Sequence, residues 1–141
     1  MYLLDTNVIS ELRKLKPHGA VASWFDQVRV EDIQIPAVVI AELQDGAEVT
    51  RLQDASKARE IELWIDRIML TFVVIPMDGA IFRDWSRLMA GKSGNLAKGA
   101  MIAATARILH LTIATRNVKD FEQFHVQVYN PFSFRPEEKR S

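Results

Sequence analysis

The chain has 141 residues, which fits one domain able to bury a core of its own. With 48% hydrophobic and 26% charged residues it is ordinary globular material, which excludes a disordered or fibrous chain. Lys plus Arg number 18, as do Asp plus Glu, and this neutral balance argues against a sequence-indifferent nucleic-acid coat held by phosphate contacts alone. There is no cysteine, so disulfides, thiolate zinc sites and cysteine nucleophiles are excluded. The N-terminus lacks a basic leader followed by an apolar stretch, and no apolar run approaches the ~20 residues of a membrane span. A cytoplasmic protein with no membrane partner is the expectation.

Tyr2 to Leu4 reads as a short buried strand stopped by the polar turn Asp5-Thr6-Asn7. Val21, Trp24, Phe25 and Val28 recur at helical spacing, which predicts a helix over about 20–30, and Ile33 to Ile35 is a second strand. From Ala37 the helical period returns through Val38, Ala41, Leu43 and Ala47, with Glu42 inside. A longer helix follows, with a stripe of Ile61, Trp64, Ile65, Ile68 and Met69. Phe72 to Ile75 is strand-like. Asp78 then caps a helix through Ile81, Trp85 and Met89 that closes near Gly91. Lys92 to Asn95 reads as a loop, Leu96 to His110 as an alanine-rich helix, and Leu111 to Ala114 as a strand. Thr115 to Phe121 reads as a polar turn and Val126 to Val128 as a last strand. Residues 1–134 form the expected domain, and 135–141 a charged tail. Trp64 and Trp85 are read as core, with a dimer face as the alternative. His18, His110 and His125 are too scattered to be a ligand set.

Strands alternating with helices predict an α/β fold whose short central parallel sheet is flanked by helices on both faces. Such sheets bind ligands at the carboxyl ends of their strands. That rule gathers Asp5-Thr6-Asn7, Glu42, and Thr115-Arg116-Asn117 with Asp120 at one edge. Hard oxygen donors without Cys or placed His suit Mg²⁺ or Mn²⁺. Packed carboxylates repel and raise one another's pKa, so the cluster invites a cation that can activate water against a phosphodiester. A phosphatase is a competing reading, but it expects a carboxylate where Asn7 stands. No G-x-G-x-x-G turn or P-loop supports a nucleotide-binding domain.

The strings LLDTNVISEL (3–12), VVIAEL (38–43), AMIAATARIL (100–109) and ATRNVKDF (114–121) resemble, in order, the signature of PIN domains. They are most similar to the VapC-type toxins of bacterial toxin–antitoxin pairs. The closing Tyr129-Asn130-Pro131 also fits. The resemblance implies a metal-dependent endoribonuclease restrained by a VapB-type antitoxin. It also implies a homodimer, or a toxin–antitoxin hetero-oligomer that binds operator DNA through the antitoxin. Asp5 matches the first metal-binding acid and Glu42 the second, while the fourth falls at Asn117 or Asp120. Thr6, Asn7 and Thr115 are supporting residues, and Arg116 and Lys98 are candidate phosphate contacts, though unengaged surface charges fit them as well.

The family's third acid falls at Gly99 in this chain. Glycine inside a helix costs about 1 kcal/mol relative to alanine, and this one stands too early to end the helix. Two readings follow. Either Gly99 marks a distorted first turn or a close helix contact, or an acidic ligand has been lost and cutting is weakened. The second leaves open a protein that binds antitoxin or RNA without cleaving it.

Overall fold

A computed structural model describes residues 1–136. The strands are β1 (Tyr2–Leu4), β2 (Ile33–Pro36), β3 (Val73–Ile75), β4 (Thr112–Ala114) and β5 (Val128–Tyr129). The helices are α1 (Thr6–Glu11), α2 (Gly19–Gln27), α3 (Ala37–Arg51), α4 (Ala55–Thr71), α5 (Gly79–Met89), α6 (Ala97–Leu109) and α7 (Val118–Glu122). The strands form one sheet of order β3-β2-β1-β4-β5, with every pairing parallel. The α/β reading is borne out.

β1 sits at the centre because its residues are apolar on both sides. Leu3 and Leu4 are each 0% exposed, and so are Ile113 and Ala114 of the neighbouring strand. Successive strand residues face opposite sides, so the sheet is covered on both faces. Trp24 of α2 is fully buried and meets Tyr2 edge-on, with ring centroids 5.1 Å apart. The packed chain extends to Phe134, also buried. Residues 137–141 of the expected tail lie outside the described residues. Among the described residues no helix is long and apolar enough to cross a membrane.

α6 positions one wall of the site. Ala100, Ala103, Ala104 and Ala106 are buried, and such small side chains let the helix lie close to the sheet. The helix ends on His110 in the left-handed conformation (φ 57°), with the Leu111 N–H donating to Ala106 O at 2.9 Å. Glycine usually fills that position.

Several element boundaries differ from the sequence expectations. The polar triplet Asp5-Thr6-Asn7 is the start of α1, with Asp5 as its cap, and not a free turn. The helix expected over 20–30 ends at Gln27, because Val28 turns extended and residues 30–32 wind into a 3₁₀ turn. Another 3₁₀ turn, Gly94–Leu96, precedes α6, so the loop and the helix start both shift. Thr115 to Phe121 is not all turn: burial of Phe121 pulls residues 118–122 into a helix. The last strand falls at Val128–Tyr129 and not at 126–128, since His125 still holds a positive φ of 52°.

Arg107 links three elements. Its Nε donates to Asp84 Oδ2 at 2.9 Å, and its Nη1 donates to the carbonyls of Phe124 (3.1 Å) and His125 (3.0 Å). Asp84 is buried, so removing the guanidinium strands a carboxylate and two carbonyls. Arg107→Ala should lower unfolding free energy by about 2 kcal/mol in urea titrations, the buried-pair penalty discounted for partial exposure of the arginine. A change within experimental error would show that water replaces these bonds freely.

Candidate metal centre

The chain leaves β1 for β2 on one side, and β4 lies on the other, so the carboxyl ends of β1 and β4 flank the point where strand order reverses. Asp5 and Thr115 are the first residues past those ends, and the Asp5 N–H donates to Ala114 O at 3.0 Å. Parallel pairing of Leu4 with Ala114 therefore puts the two side chains together across 110 residues of sequence. The Thr115 hydroxyl donates to Asp5 Oδ2 at 2.7 Å, and the Thr6 N–H donates to Asp5 Oδ1 at 2.8 Å. Asn7 Nδ2 reaches both Asp5 Oδ2 (3.3 Å) and Thr115 Oγ1 (3.4 Å), while Asn7 Oδ1 accepts from the Arg116 N–H at 3.1 Å. The Asn117 N–H donates to Thr115 Oγ1 at 3.0 Å. Thr6, Asn7 and Thr115 thus sew the two loops together around one carboxylate.

A cleft of about 400 Å³ opens over this seam, lined by Asp5, Glu42, Lys98, Gly99, Asn117 and Asp120 among others. Phe121, Phe124, Ile102 and Leu96 supply its apolar wall, and Asn95 joins the rim. Sequence reasoning missed these five. Asn95 was hidden in a loop, Phe121 at the end of a polar turn, and the other apolar residues carried no chemical signal of their own.

Burial pushes the Asp5 carboxyl above its ordinary pKa, against the hydrogen bonds from Thr115 and Thr6, and the charge of Asp120 pushes the same way. Burial also raises Glu42; a Thr6 hydroxyl contact opposes it, Asp5 adds to it and Lys98 counters it. Thr6 Oγ1 itself is buried and makes no hydrogen bond within ordinary distance among the described residues, so its contact with Glu42 is a long one. Asn117 and Asp120 are exposed at the start of α7, and the Asn117 side chain caps nothing.

Lys98 pairs with Asp45 at 3.3 Å across the cleft mouth. Arg116 does not line the cleft: its guanidinium lies 3.8 Å over the Phe132 ring. At Gly99 the close-contact reading fails, because an added Cβ would meet nothing nearer than Phe124 Cε2 at 4.0 Å. Its φ is ordinary, so no backbone strain requires glycine there either.

Among the described residues no three Asp, Glu, His or Cys side chains converge closely enough to form a metal cage. Two carboxylates with raised pKa and a weakly engaged Thr6 hydroxyl beside them nevertheless fit Mg²⁺, which commonly takes one or two carboxylates and completes its shell with water and phosphate.

A parallel α/β domain with acids at the switch point of its sheet defines the class. Residues 2–125 match the PIN domain family, and the chain belongs to it. It is 33% identical over 140 residues to Toxin FitB of Neisseria gonorrhoeae, covering 94% of this chain and 99% of that one. It is 36% identical over 143 residues to VapC ribonuclease Y4jK of Sinorhizobium fredii, covering 94% and 98%. The crystal structure of FitAcB from Neisseria gonorrhoeae superposes with a TM-score of 0.84 at 32% identity, covering 95% of this chain and all of that chain. The structure of FitAB bound to a DNA fragment gives 0.82 at 30% identity, covering 96% and 98%.

A carboxyl raised on folding adds stability below the ordinary carboxylate range and loses it as pH rises through its folded pKa. Glu42→Gln removes that loss. In melts with chelator, the variant should unfold above wild type at about pH 7 and level with it at about pH 3. A less stable variant at neutral pH would mean that a counter-charge holds Glu42 in place.

Proposed function

We propose that this protein is a metal-dependent endoribonuclease toxin of a toxin–antitoxin pair. The observation that carries the reading is the buried Asp5 carboxylate, raised in pKa and facing Glu42 in a cleft at the switch point of the sheet. Two acids held at this energetic cost, with hydrogen-bond donors but no cation paired with either among the described residues, are arranged for a metal ion. The names of the relatives, a toxin and a ribonuclease, support the activity. The FitAB complex on DNA supports an antitoxin partner of the VapB type, and operator binding through it. A homodimer follows from the same kinship.

Asp5 and Glu42 would hold Mg²⁺ or Mn²⁺, and Asn117 and Asp120, which line the same cleft, would be further oxygen donors to it. The cation supplies an activated water and neutralises charge developing on the phosphodiester. Thr115 and Thr6 fix the Asp5 carboxylate through both oxygens. Asn7 holds the loop after β4 in register. Lys98, at the mouth, is placed to meet a phosphate once it leaves Asp45.

A second reading is favoured by Gly99. The position opens onto the same cleft with room for a side chain, and nothing in the packing asks for glycine. In that reading the third acid has been lost, and the protein cuts weakly or binds antitoxin or RNA without cutting.

Calorimetry with Mg²⁺ and Mn²⁺, and RNA cleavage with and without chelator, test both. The first reading expects metal binding that Asp5→Asn abolishes, and chelator-sensitive cleavage. Gly99→Asp should tighten Mg²⁺ by about 10-fold or more, the scale set by the outer hydrogen-bond partners of metal ligands, and raise cleavage with it. Equal activity of both versions would sink the lost-ligand idea. Absence of metal binding in both would sink the nuclease.

A further inference from the structure

Beside the metal cleft lies a second, smaller one, between α1, α3 and α4. It measures about 210 Å³ and is lined by residues including Thr6, Ser10, Arg13, Gly46 and Trp64. Glu42 borders both clefts, so the two adjoin across that one side chain. Gly46 and Thr50 follow it at one-turn spacings on the same face of α3.

The walls carry unmet hydrogen-bonding capacity. Thr6 Oγ1 is buried and has only its weak contact with Glu42, and neither Ser10 Oγ nor Trp64 Nε1 makes a hydrogen bond among the described residues. Trp64 is half-buried, with Leu43 and Ile61 beside it. The Arg13 guanidinium stands 5.8 Å from the Trp64 ring centroid, at the loose end of a cation–π contact. A flat apolar surface edged by hydroxyl and indole donors, with an exposed cation at its rim, is chemistry for a planar heteroaromatic ring joined to an anion. The volume falls below the roughly 300–1,000 Å³ of ordinary small-molecule pockets, so it takes one ring and not a whole nucleotide. Unstacked RNA bases are recognised in this way, by stacking on aromatic or guanidinium planes and by bonds to their edges.

We propose that this second cleft is a nucleobase subsite, in which a base flanking the scissile phosphate stacks on Trp64 while Arg13 holds the adjoining phosphate. The inference rests on the ribonuclease reading, because it assigns the flanking nucleotide of that substrate. Gly46 provides the test: a Cβ there meets nothing within 4 Å, so Gly46→Leu adds bulk to the cleft, and because it stands one turn from Glu42 the Mg²⁺ titration of the same variant checks that the metal residues are undisturbed. Gly46→Ala is the control, since both changes improve helix propensity and neither strains the fold.

A short single-stranded oligoribonucleotide would be titrated into ¹⁵N-labelled protein with Ca²⁺ in place of Mg²⁺. Trp24 is fully buried and Trp85 Nε1 donates to Ala97 O at 3.0 Å, so only the Trp64 indole signal should move. RNA affinity should fall about 10-fold in Gly46→Leu, the scale of one lost base–aromatic stack, and stay near wild type in Gly46→Ala. Mg²⁺ binding should be equal in all three proteins. Unchanged RNA affinity in Gly46→Leu would overturn the subsite, as would RNA binding that leaves the Trp64 signal still, and the cleft would then be free for a partner protein's side chain. A moving Trp64 signal in a protein that binds no Mg²⁺ would uphold the subsite and strike the metal-centre reading instead.

Discussion

The hydrogen bond from the Thr115 hydroxyl to Asp5 Oδ2, 2.7 Å long, is the interaction on which the site depends. It exists because β1 and β4 are parallel neighbours in register, which sets the first residue past each strand side by side. Around it, Asn7 and the backbone N–H groups of Thr6, Arg116 and Asn117 complete one network. Without the network, a carboxylate buried at the end of a central strand would face desolvation almost unaided. With it, Asp5 still carries a raised pKa, so the hydrogen bonds offset burial only in part. A residual cost of this kind is what a group kept for chemistry, and not for stability, is expected to carry.

Glu42 shows the same balance from another direction. It reaches the seam from α3, is raised by burial and by Asp5, and has no cation in contact with it among the described residues. Lys98 tempers its charge from the cleft mouth but is bonded to Asp45. Gly99 completes the outline by omission. It faces the cleft from the first turn of α6, in ordinary helical backbone with open space where a side chain would go. A glycine there lowers helix propensity and gains no packing in return. The site is therefore one in which two acids are held in place beside a glycine position with room for a side chain.

Much of the fold was readable residue by residue. Leu3-Leu4 and Ile113-Ala114 are short apolar runs and Ile33-Gln34-Ile35 alternates, and these became the central strands. The alanine-rich helix and the Asp78 cap were equally plain, since capping and periodicity act locally. What failed were boundaries set by distant partners. α7 forms because Phe121 finds the core, and β5 starts late because its pairing is set by Ile113 and Thr115. Arg116 lies over the Phe132 ring, a contact that no local stretch of sequence announced.

The sequence by itself determined the Asp5 end of the site: an acid ending the first strand, a Thr-x-Asn ending the fourth, and an acid early in α3. Those are matters of residue type and order, which survive without coordinates. Only the tertiary structure decided that Asp5 is held by Thr115, that Gly99 has no packing reason to be glycine, and that a second cleft adjoins the first across Glu42. Each of these depends on strand register and on empty volume between helices. Neither is a property of any local stretch of chain, because both arise when elements far apart in sequence exclude water together.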